Sequence, residues 1–146
     1  MSAADRLADA GAWPETAAAL ADAGDPAVLP DLVAAYDQPV EAGRAGLLAA
    51  MDALGAGGEA HRLARSGDAA ERRVAARLMH LLPDRTHLDA LVPLAEDPDP
   101  AVADAARRAL RGQPRTPAWH VAVERLAAQG DPELRAAARG WQDESG

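Results

Sequence analysis

One residue recurs along this chain at a nearly fixed interval. Asp37, Asp68, Asp99 and Asp131 are separated by 31, 31 and 32 residues. A period of that length marks a repeat architecture, in which one unit cannot bury its apolar face alone and must stack on its neighbours. The four sites read Asp-Gln-Pro-Val, Asp-Ala-Ala-Glu-Arg, Asp-Pro-Ala-Val and Asp-Pro-Glu-Leu-Arg. An aspartate just before a helix accepts hydrogen bonds from the free N–H groups of the first turn. A proline at the first helical position has no N–H to leave unpaired. Each aspartate is therefore expected to open a helix.

The segments on either side carry the helical period. Val102, Ala105, Ala106, Ala109 and Leu110 fall on one stripe, with apolar residues three and four apart. No run alternates with the period of a strand. First helices are predicted over 28–36, 59–65, 87–96 and 118–128, and second helices over 40–54, 70–82, 101–111 and 132–141. Gly55-Ala-Gly-Gly58, Pro83-Asp84 and Gly112-Gln-Pro114 read as breaks between pairs. Leu-Ala-Asp-Ala-Gly occurs twice, at 7–11 and 20–24, and reads as the ends of two short helices in a divergent capping pair. Pro30 and Pro93 fall inside first-helix patterns, where a bend is expected. The expectation is one all-α domain over 1–146: a capping pair at 1–24, repeats at about 25–55, 56–83, 84–112 and 115–142, and about five antiparallel helix pairs in an α-α superhelix. Trp13 and Trp141, near the two ends, are expected to close the core.

The stretch 91–110, Leu-Val-Pro-Leu-Ala-Glu-Asp-Pro-Asp-Pro-Ala-Val-Ala-Asp-Ala-Ala-Arg-Arg-Ala-Leu, resembles the HEAT repeat, most closely the short bacterial phycobilisome-lyase variety. Gly24-Asp-Pro-Ala-Val-Leu-Pro-Asp-Leu-Val33 is similar to that variety's first helix, and Gly130-Asp-Pro-Glu-Leu-Arg-Ala-Ala-Ala138 to its second. The resemblance covers about residues 24–142 and implies a HEAT/armadillo-like solenoid whose second helices line the concave face. The family's arginine after the inter-helix aspartate is matched by Arg72 and Arg135, but Glu41 and Ala103 stand there in the other two repeats. An Asp-to-Arg ladder would thus be interrupted.

Composition narrows the function. The chain has no cysteine, so disulfides, thiolate metal sites and cysteine nucleophiles are absent together. No apolar run approaches the roughly 20 residues of a membrane span, and no leader pattern opens the chain; a cytoplasmic protein is expected. All 15 basic residues are arginine, and lysine, phenylalanine, isoleucine and asparagine are missing. Those four share A/T-rich codons, so nucleotide bias explains the arginines before recognition does. Net charge is −8, and residues 1–60 hold ten acids against two arginines. Such a chain is repelled by phosphate backbones, which disfavours nucleic acid, including the DNA-repair role that some HEAT-like glycosylases have.

The remaining chemistry is sparse. His61, His80, His87 and His120 show no i, i+4 pair and no His-Glu dipeptide, so neither a metal nor another cofactor is expected. Ser2, Ser66 and Ser145 stand in no Gly-x-Ser-x-Gly turn, and Thr16, Thr86 and Thr116 sit where hydroxyls cap helices. No catalytic residue is assigned. The arginines offer one constellation. Arg73, Arg77 and His80 lie at i, i+4 and i+7 on one helix face, and Arg108 and Arg111 follow Arg77 and His80 by 31 residues. Equal repeat positions stack, so the five are expected to form a basic column, on the concave face if the resemblance holds. The function expected is a non-catalytic scaffold or adaptor, a monomer or weak dimer, binding a protein or acidic peptide. The alternative is an accessory or lyase-like component of a biosynthetic or protein-maturation pathway.

Overall fold

The computed structural model describes residues 3–145. Met1, Ser2 and Gly146, at the ends of the expected domain, lie outside the described residues. Those residues form ten α-helices and three single turns of 3-10 helix, with no strand. In order these are α1 (Ala3–Leu7), α2 (Trp13–Ala23), α3 (Leu29–Tyr36), α4 (Arg44–Ala53), α5 (Ala56–Leu63), α6 (Ala69–Leu81), α7 (Leu88–Leu94), α8 (Pro100–Arg111), α9 (Pro117–Gln129) and α10 (Pro132–Ser145). The 3-10 turns are Ala10–Ala12, Pro26–Val28 and Arg85–His87, each leading into the helix that follows. None of the helices is long and apolar enough to cross a membrane.

Three of the four periodic aspartates act as expected. Asp68 accepts from the Ala70 N–H at 3.0 Å, Asp99 from Ala101 and Val102 at 2.9 and 3.2 Å, and Asp131 from Leu134 at 2.8 Å. Thr116 caps α9 through the Trp119 N–H at 3.1 Å. Asp37 does not cap. It closes the carboxyl end of α3, and the chain runs non-helically through Val40 to Gly43, whose φ of +84° only glycine adopts easily, before α4 begins. The carboxylate of Asp37 is thereby free to meet Arg77 of α6. Of the other threonines, Thr16 lies within α2, and Thr86 donates its N–H and hydroxyl to Asp84, which is the cap there.

The glycine run and the prolines also differ from expectation. Gly55, at φ +73°, is the break, but Ala56, Gly57 and Gly58 are already the first turn of α5. Pro30 bends nothing, because α3 begins at Leu29 and the proline occupies its first turn, where no N–H is needed. Pro93 is inside α7, one residue from its end.

Packing joins these helices through small residues. α6 and α8 make the broadest helix contact, followed by α9 with α10, then α2 with α4 and α5 with α6. Ala75 and Ala76 of α6 and Ala105, Ala106 and Ala109 of α8 are buried, and such side chains let helix axes approach closely. Larger residues fill the rest of the core: Leu29, Leu32, Leu47, Met51, Leu78, Met79, Leu91, Leu110 and Leu134 are almost fully covered. Packing is narrower between the halves, where α3 touches α6 and α4 touches α5.

Trp13 is fully buried, with its indole N–H donated to the Leu7 carbonyl at 2.9 Å, so it ties α1 to α2. Trp141 is buried at the opposite end. Trp119, which the sequence did not single out, is fully buried as well and donates to the Leu110 carbonyl at 2.9 Å, tying α9 to the end of α8.

Two further arginine–aspartate pairs, besides Arg77–Asp37, link successive helix pairs. Arg72 donates to both oxygens of Asp97, at 2.8 and 3.2 Å, and to the Ser66 carbonyl at 3.0 Å. Arg107 donates to Asp131 at 3.2 Å and to the Ala95 carbonyl at 3.1 Å. Arg107 thus supplies the link in the repeat where Ala103 stands, four residues along the same helix. The Arg72 guanidinium, aided by the Asp99 N–H, holds the Asp97 carboxyl below its ordinary range.

Candidate functional site

Helical spacing brings Arg73 and Arg77 to the same side of α6, and the close α6–α8 packing sets Arg108 opposite them. Together with Asp37, Asp104 and the small side chains of Ala101 and Ala105 they line a groove of about 460 Å³. The charges in it are unequal in their commitments. Arg77 is ion-paired with Asp37; the arginine side chain is largely covered and the aspartate is exposed. Arg108 meets Asp104 at 3.2 Å one turn away on α8, with 72% and 63% of their side chains exposed. Arg73 is exposed and has no ion pair among the described residues.

The other two residues of the expected column are not part of the groove lining. Arg111 lies beyond it and makes a two-pronged pair with Glu144 of α10, at 3.1 and 2.6 Å. His80 is partly buried, and its Nδ1 has no hydrogen-bond partner among the described residues. Burial, reinforced by the positive charge of Arg77, holds its pKa below the ordinary 6.5, against the pull of the Arg108 carbonyl. His80 is therefore neutral at pH 7 and adds no charge to the column. The cationic part of the groove is Arg73, Arg77 and Arg108.

A larger cavity, about 770 Å³, opens where α4 and α5 meet the α6–α7 connection. Sequence spacing did not suggest it, because its two histidines are 26 residues apart. His61 near the end of α5 and His87 in the 3-10 turn before α7 approach with Nε2 and Nδ1 3.1 Å apart. The His87 Nε2 is 3.0 Å from the Leu82 carbonyl. A carbonyl only accepts, so His87 carries its proton on Nε2 and its Nδ1 accepts from His61. The direction runs His61 to His87 to Leu82. His87 is almost fully buried, and burial holds its pKa below 6.5, against the favourable Leu82 carbonyl. Asp84 sits beside it; the Thr86 N–H and hydroxyl hold its carboxyl below the ordinary range.

The histidine rings are tilted at 43° with centroids 5.2 Å apart, and the lone pair on the His87 Nδ1 is taken by the His61 proton. Among the described residues no group of three or more histidines and carboxylates is gathered closely enough to hold a metal ion.

No family model matches the chain, and no curated protein sequence matches it.

Proposed function

We propose that the chain is a non-catalytic binding module of the HEAT-repeat type, an α-α superhelix whose second helices present a groove to an acidic segment of a partner protein. It would act in the cytoplasm as a monomer or weak dimer. The observation that carries this reading is Arg73, exposed and without an ion pair among the described residues, beside Arg77 and Arg108 in one groove. Guanidinium groups bind carboxylates through paired N–H donors. The exposed Arg108–Asp104 pair contributes only about 0–1 kcal/mol, so an incoming carboxylate can take Arg108 from Asp104 with little loss. Ala101 and Ala105, being small, leave room for a backbone to approach. On a chain of net charge −8, three arginines against two aspartates give this depression a net positive charge, which favours an acidic ligand there.

The test is a fluorescence-anisotropy titration of the full chain with a labelled peptide alternating glutamate and leucine. Wild type is compared with Arg73→Glu and with Arg73→Glu/Arg108→Glu, after circular dichroism shows that both variants are folded. The reading expects binding that weakens with salt and falls about tenfold or more in the double variant, which reverses two interactions of about 1 kcal/mol each. Equal binding by all three proteins sinks it.

A further inference from the structure

The 770 Å³ cavity does not belong to the groove and has its own chemistry. Its size is that of a small-molecule pocket. Leu48, Leu81, Leu82 and Pro83 give it an apolar wall. The polar side chains that line it are mainly acceptors, the Thr86 hydroxyl proton being already given to Asp84. Asp52 is exposed, and its carboxylate makes no ion pair or hydrogen bond among the described residues. Asp84 uses Oδ1 to accept from Thr86 and leaves Oδ2 open. In neutral His61, donation from Nε2 to His87 leaves Nδ1 as an acceptor. No arginine lines the cavity. The amino end of α5 supplies about half a positive charge, less than either carboxylate.

The glycines are a second, independent observation. Gly57 and Gly58 line the cavity from inside α5. Glycine inside a helix weakens it. Neither residue has the positive φ that requires glycine, and a Cβ built on either meets nothing within 4 Å. Neither backbone geometry nor packing accounts for them. What they do is keep side chains out of the cavity wall.

We propose that this cavity binds a small organic cation with an apolar group, its ammonium set among Asp52, Asp84 and His61 and its apolar part against Leu48, Leu81 and Leu82. The site is distinct from the α6–α8 groove and stands whether or not that groove binds a peptide.

The probe is phenethylamine, with 2-phenylethanol and 3-phenylpropanoate as neutral and anionic counterparts of similar shape. Each is titrated into the ¹⁵N-labelled full chain and followed by NMR. The amine is expected to shift the amides of Gly57, Gly58 and the His87 turn, with the alcohol weaker and the carboxylate weaker still. Asp52→Asn is expected to weaken the amine about threefold to fivefold, as for one partly exposed charge. Gly58→Leu is expected to abolish binding while raising the melting temperature, a combination that unfolding cannot produce. No shift at these amides, equal binding of amine and carboxylate, or unchanged affinity in Gly58→Leu overturns the proposal.

Discussion

Gly57→Ala and Gly58→Ala should each make this protein more stable. Both residues are in the first turn and a half of α5, with helical backbone and open space where a Cβ would stand. The gain is then the difference in helix propensity alone, about 0.8–1 kcal/mol each, with no overpacking to subtract. Part of it acts through the unfolded chain, which has fewer conformations to lose. For a chain of this size 1 kcal/mol moves the melting temperature by about 3 °C, so the double variant should melt about 5 °C higher. Gly130→Ala is the internal contrast. Its Cβ would stand 2.7 Å from the Leu126 carbonyl oxygen and 3.2 Å from the Leu134 side chain. The backbone must shift, at a cost of about 1–3 kcal/mol. Urea denaturation read by circular dichroism measures all three. A Gly57 or Gly58 variant less stable than wild type, at unchanged dependence on urea, would refute the claim that this turn is helical with an unobstructed outer side.

Three further outcomes follow from the packing and the ion pairs. Ala106→Leu, at a fully buried position of α8, should destabilise by about 1–3 kcal/mol in urea, because the core must open to admit the larger side chain. Asp99→Ala should cost about 1 kcal/mol through loss of the cap, whereas Asp37→Ala loses no cap and is read instead by freeing Arg77; equal losses attributed to one helix start in hydrogen exchange would contradict this. The pH dependence has two windows. His87 is depressed below 6.5, so its contribution is complete above about pH 6.5 and is lost as pH falls through the folded value; His87→Gln should flatten that slope in thermal melts. Asp97 is depressed below 3.8, so the advantage of wild type over Asp97→Asn should hold above about pH 4 and shrink as pH falls further.

What was legible in the sequence was local chemistry repeated at long range. The aspartate period located the helix starts at Asp68, Asp99 and Asp131 because capping involves neighbours two or three residues away. Asp37 carries the same signal, yet Gly43 breaks the continuity that makes a cap, and the carboxylate pairs with a helix 40 residues on. The glycines at 57 and 58 read as a break because their propensity is poor, and the helix forms over them since Ala56, Ala60 and Leu63 bury its inner face. In the arginine column, Arg73, Arg77 and Arg108 come together because i, i+4 spacing and the repeat fix backbone positions. Arg111 depends on Glu144 and His80 on how deeply α6 seats, and neither follows from spacing. The His61–His87 bond joins two helix pairs through the turn after α6, so no pattern in the chain announces it.

The uneven packing has a mechanical consequence. α2 stacks on α4 and α6 on α8, but the two stacks are joined mainly where α3 reaches α6, where α4 runs into α5, and through Arg77 and Asp37. An opening along that seam parts residues 3–53 from the remainder while leaving both stacks whole. Opened there, the chain becomes two bodies tethered by the Leu54–Gly55 turn, and the two walls of the larger cavity, one from α4 and one from the α6–α7 connection, move apart with them.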